Sequence, residues 1–202
     1  MTDLFPWDYH PDLTADRLML TGRLIAEGRN KAVELHDVEN GDSNWTLGCR
    51  AFEFGRFRIL GAIDSGEHPW LRAIDRSLQL VFQIGQVPVR MYRGLPEDPT
   101  ARTLYQTFGE LRQLDLLSSL VDEARDLAYR FAVEADFDGS TLAVKFVGLH
   151  GDRPVFVWDV PIDDIHVGTL GRPATEPVEL GAPDVSPRRR TDAANNKDGK
   201  SV

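Results

Sequence analysis

Apolar residues recur at three- and four-residue spacing in three stretches of the chain and at two-residue spacing in two others, which predicts helices and strands respectively. Thr14 is placed to cap a helix over about 14–36 that carries Leu18, Leu24, Ile25, Ala32 and Leu35 on one face, with Gly22 and Gly28 as interruptions. After the turn-like Asn40-Gly41-Asp42-Ser43, a second set (Trp45, Cys49, Phe52, Arg56, Ile59, Leu60 and Ile63) lines one face if 45–63 is helical. The phenylalanines at its centre leave a strand open there. A third set runs from the cap and first-turn pair Asp98-Pro99 through Leu104, Phe108, Leu111, Leu117, Leu120, Val121, Ala124, Leu127 and Ala128. It predicts one long helix, or two broken near Gly109.

Alternation by two is clearest at Leu78 to Ile84 and Val87 to Arg93, joined by Gly85-Gln86. A two-residue loop that begins with glycine predicts a hairpin. The register sets Ile84 opposite Val87, Phe82 opposite Val89 and Leu80 opposite Met91, all on one face. Pro88 lacks an N–H, so the second strand is expected at a sheet edge. A second alternating region pairs Phe131 with Phe146, Val133 with Val144 and Ala135 with Leu142 around an Asp138-Gly139 turn. A loop at Gly151 to Arg153 then returns Phe156, Trp158 and Val160 to the face of Val144, Phe146 and Gly148. The expected fold is α+β: N-terminal helices, a hairpin, a long helix and a C-terminal three-stranded antiparallel meander in two layers.

All 18 aromatic residues fall between Phe5 and Trp158, whereas four of the 12 prolines crowd between Pro173 and Pro187. The expected organisation is therefore one domain over 1–170 and a disordered, proline-containing tail over 171–202, since the tail has little to bury against its ordering entropy. From Pro187 on, the tail holds five basic and two acidic residues, in a chain whose formal net charge is -9. That balance disfavours a bulk surface for nucleic acid or anionic lipid. A weak contact through Arg188, Arg189 and Arg190 is the most the tail offers. One cysteine, Cys49, closes no intrachain disulfide, and no apolar run is long enough to cross a bilayer. A cytoplasmic location is expected.

No dinucleotide fingerprint, nucleophile elbow or zincin motif occurs, and Gly199-Lys200-Ser201 lacks the first glycine and the helix of a phosphate loop. Neither a cofactor nor a metal is therefore expected. Asp163, Asp164 and His166 read as a solvated turn, and His150 as a hairpin-loop residue. Ser118 and Ser119 read as helix-face residues, and Cys49 as a small apolar one.

The more suggestive grouping is basic and aromatic: Arg56, His68, Trp70, Arg90, Tyr92 and Arg93. Guanidinium and amphipathic ring together suit a carboxylate, a phosphate or an acidic protein surface. Arg90 and Tyr92 point off the apolar face of the hairpin and are expected to be available. The competing structural reading pairs the arginines with Glu53, Asp64, Glu67 and Asp75 and puts Trp70 in the core.

By elimination the expected function is that of a non-enzymatic binding or regulatory protein, inhibitor-like, antitoxin-like or adaptor-like, whose partner is another protein. The alternatives are a small enzyme acting on an anionic substrate, with site residues converging from distant segments, and a nucleic-acid-associated accessory protein using the basic tail.

Overall fold

A computed structural model describes residues 4–116 and 127–162. The expected tail at 171–202, Arg188 to Arg190, the Asp163 to His166 turn, and Ser118 and Ser119 lie outside the described residues. The described residues form, in chain order, α1 (Pro6–Tyr9), α2 (Ala15–Glu34), α3 (Asn44–Ser65), β1 (Leu71–Asp75), β2 (Val81–Ile84), β3 (Val87–Arg93), α4 (Ala101–Leu104), α5 (Phe108–Leu116), β4 (Ala128–Ala135), β5 (Thr141–His150) and β6 (Arg153–Asp159).

The fold is α+β, and the strands make one six-stranded mixed sheet in the order β1-β2-β3-β4-β5-β6. Every neighbouring pair is antiparallel except β3 and β4, which run parallel. The expected meander is thus the second half of a larger sheet. A parallel joint needs a crossover rather than a tight turn. α4 and α5 belong to that crossover.

α2 and α3 form where the apolar spacing predicts helices. α3 is settled as a helix by its ends: the Ser43 hydroxyl accepts from the Thr46 N–H at 3.4 Å, the Thr46 hydroxyl accepts from the Ser43 N–H at 2.7 Å, and Gly66 closes it at φ 72°. Gly28 lets α2 and α3 touch, because a Cβ there would stand 2.5 Å from the Gly55 nitrogen. What looks like a weak point in the helix is the contact between helices.

On one face of the sheet Phe82, Phe131 and Phe146 are fully buried and cluster with Leu18 and Ile25 of α2 and Ile59 of α3. The Phe131 and Phe146 rings meet edge to face at 4.9 Å. The opposite face of β4 and β5 carries a smaller cluster, Ala128, Val147 and Leu149, against which Leu104 of α4 packs.

Both hairpin registers hold at their centres, with Phe82 opposite Val89, Ile84 opposite Val87, Phe131 opposite Phe146 and Val133 opposite Val144. Their ends differ. Leu80 does not reach Met91, because it sits at φ 33° and breaks away before β2 begins. A bulge after Glu134 puts Ala135 opposite Thr141 rather than Leu142. Between β5 and β6 the loop is Gly151-Asp152, and a bulge at Gly148/Leu149 restores the expected parity, with Gly148 opposite Phe156.

Two expectations are corrected outright. Pro88 lies not on an edge strand but on β3, between β2 and β4. In a two-residue hairpin, Gln83 and Pro88 form a non-hydrogen-bonded pair, and the ladder to β4 starts one residue later at Val89, so no partner asks Pro88 for an N–H. The third helical set forms as the two-helix alternative, α4 and α5, parted at 105–107 close to Gly109, and it is its ends that are corrected. Thr100 rather than Asp98 caps α4, accepting from the Thr103 N–H at 3.3 Å. At the far end Ala128 opens β4 instead of continuing a helix.

Candidate functional site

A cleft of about 650 Å³ opens beside the end of β3. Three elements bring arginines to it: β3 supplies Arg90 and Arg93, α4 supplies Arg102, and β4 supplies Arg130. Among the described residues Glu53 is the one acidic side chain lining it, and it is already bound to Arg56 at 3.1 Å. The opposite wall is apolar and comes from α3, with Phe52 inside and Trp45 at the lip. Trp45 is 75% exposed and Leu78, on the loop before β2, 70%.

The floor is held rigidly. Arg130 is 1% exposed; its Nε donates to the Thr103 carbonyl at 3.1 Å, and Nη1 donates to the Tyr129 carbonyl at 2.9 Å and to the buried Glu110 carboxylate. Burial pushes its pKa down, against the pull of Glu110. Arg90 donates through Nη1 to the Tyr105 carbonyl at 2.7 Å. The Arg90 Nε and the Arg130 Nη2 have no partner among the described residues.

Arg93 and Arg102 stand exposed at the rim, and among the described residues neither forms an ion pair. Nor is the charge of Arg93 cancelled from behind. Arg29 on α2 is buried, and its pKa is lowered by that burial first and by Arg93 second. Tyr92 donates its hydroxyl to the Leu95 carbonyl at 3.2 Å, and burial together with Glu97 pushes its pKa up to about 12, so it enters the site as a neutral phenol.

Of the residues singled out from the sequence, Arg90, Tyr92 and Arg93 line this cleft and Arg56, His68 and Trp70 do not. Arg90 is buried rather than available, because the crossover carrying α4 and α5 covers the face it points to. Arg56 ties α3 to the strand-connecting loop, donating to the carbonyls of Ser77 at 3.2 Å and Arg76 at 2.6 Å as well as to Glu53. His68 and Trp70 sit together at 5.5 Å near the start of β1, with Arg17 over the indole. Cys49 is exposed and lines the cleft, contrary to its expected burial.

Arg102, Arg130, Trp45 and Leu78 were missed. Arg130 left a readable trace: an arginine between Tyr129 and Phe131, in a strand of buried residues, must either carry a partner or serve a site. Trp45 left a false one, since its helical spacing assigns it to the covered face.

Among the described residues no group of acidic, histidine or cysteine side chains could hold a metal ion, and no helix is long and apolar enough to cross a membrane. Compared with protein-family models, with curated proteins and with solved structures, the chain matches none.

Proposed function

We propose that this chain is a non-enzymatic binding protein that captures an acidic segment of a protein partner in the arginine-lined cleft. The observation that carries this reading is the convergence of four guanidinium groups on one cleft in a chain of net charge -9. A positive concavity in an acidic molecule focuses field on one spot and repels anions elsewhere, so it selects as well as attracts. Trp45 and Leu78 at the lip add the rigid apolar contact typical of protein interfaces and favour a ligand with apolar groups beside its charges.

One observation favours a small enzyme instead: the exposed Cys49 thiol in the same cleft. A thiol nucleophile needs a base, and among the described residues no histidine lines the cleft while Glu53 is engaged by Arg56. Binding without turnover is the better-supported reading.

A fluorescently labelled, acetylated hexapeptide alternating glutamate and valine tests it by anisotropy, against the same peptide with lysine for glutamate. The acidic peptide should bind saturably and the basic one should not. Arg93→Glu with Arg102→Glu should raise Kd at least about ten-fold while leaving Tm within a few degrees, because both side chains are exposed. Equal binding of both peptides, or an unchanged Kd in the double variant, contradicts the reading.

A further inference from the structure

Resting on that reading, we infer that the partner segment enters the cleft as an added β-strand along the Met91–Arg93 edge of β3, with acidic and apolar side chains alternating. β3 is seven residues long and β2 only four, and their pairing stops at Phe82 and Val89. Beyond that point the preceding chain turns away: Leu80 sits at φ 33° and donates its N–H to the Ser77 carbonyl at 3.1 Å instead of to β3. The last part of β3 therefore has β4 on one side and the cleft on the other.

Backbone direction along this edge follows from what is paired. Gly94 donates its N–H to the Val133 carbonyl of β4 at 3.1 Å. Backbone groups alternate sides along a strand, so those of Arg90 and Tyr92 face β4 and those of Met91 and Arg93 face the cleft. The edge is guarded by the charge of Arg93, a device that discourages indiscriminate strand pairing and suits a partner bearing carboxylates.

The side chains of an incoming strand alternate in step with β3. Those beside Arg90 and Tyr92 fall on the face that carries Arg130 and Arg102, where a carboxylate meets guanidinium. Those beside Met91 fall toward Phe52 and Trp45, where an apolar group is covered. Main-chain bonds then supply affinity and the two faces supply specificity, as in other strand-addition complexes. This arrangement accounts for Arg90, Arg102 and Arg130 on one side of the cleft and Phe52 and Trp45 on the other, with Arg93 at the strand end on the side of Met91, which a single compact anion would not use.

Backbone methylation of the hexapeptide tests the mode separately from the charge recognition. One version is N-methylated at alternate amides, a second at the intervening amides, and both keep the glutamate and valine side chains. Strand addition presents only one set of amides to β3, so one version should lose at least about ten-fold in affinity while the other binds within about two-fold of the parent. If both versions bind as the parent does and still depend on Arg93 and Arg102, strand addition is overturned and acidic-segment recognition stands. If the unmethylated peptide itself shows no arginine-dependent binding, both fall.

Discussion

Replacement of Glu110 by alanine is expected to cost about 3–5 kcal/mol, because it leaves the Arg130 guanidinium buried without its counter-charge. Both side chains are about 1% exposed, and Arg130 cannot swing to water without abandoning the Thr103 and Tyr129 carbonyls. Glu110 has a second task. Its carboxylate accepts from the Thr107 N–H at 3.3 Å while its own N–H donates to the Thr107 hydroxyl at 3.3 Å, closing a capping box at the start of α5. Alanine removes both, and Tm should fall by roughly 10 °C or more for a domain of this size. Glu110→Gln, which keeps a hydrogen-bonding shape but loses the charge, should fall between. Replacing Glu110 and Arg130 together by leucine and methionine should recover much of the loss, since what costs is the unpaired charge. Chemical denaturation of the three variants checks this, and a loss below about 1 kcal/mol in Glu110→Ala would mean that water reaches Arg130.

Phe146→Ala should destabilise by a similar amount, about 3–5 kcal/mol, through lost transfer energy and the cavity left behind. The ring is fully buried on β5, between β4 and β6, and contacts Phe131 at 4.9 Å, Phe156 at 6.1 Å and Tyr129 at 6.2 Å. Three aromatic neighbours on adjacent strands are too large to collapse into the space. Phe137→Ala is the control: that ring is fully exposed at the tip of the same hairpin and should change stability by no more than about 0.5 kcal/mol. Comparable losses at the two positions would contradict the placement of the core.

Most local elements were legible because their causes are local. Gly85 after Ile84 and Gly139 after Asp138 take the positive φ their turns require, at 61° and 88°, and the alternating residues on either side then fix which rings meet. What was not legible depends on partners distant in sequence. The joint between β3 and β4 is parallel, so no turn announces it, and β1 is too short and too polar at Arg72 and Asp75 to declare itself. Missing that joint hid the crossover and with it the cover over Arg90. The parity of Arg90 and Tyr92 was read correctly as opposite to the core; their surroundings were not. Of the site, the part on β3 was found and the parts on α3, α4 and β4 were not, because convergence in space leaves no spacing in the chain. Besides Arg130 between Tyr129 and Phe131, Thr107 to Glu110 was an unused local signal, a capping-box pattern that also marks where the helix restarts.

The arginine side chains themselves give the most direct test of the cleft as the recognition site. In protein labelled with ¹⁵N, the Nε–H resonances of the arginines can be followed as the glutamate and valine hexapeptide is added. Recognition in the cleft predicts that Arg90, Arg93, Arg102 and Arg130 shift together along one saturation curve. Arg17, Arg50, Arg58 and Arg76, held by Asp12, Asp42, Glu27 and Asp64, should stay in place. Shifts spread evenly over both groups, or confined to the second, would contradict the account.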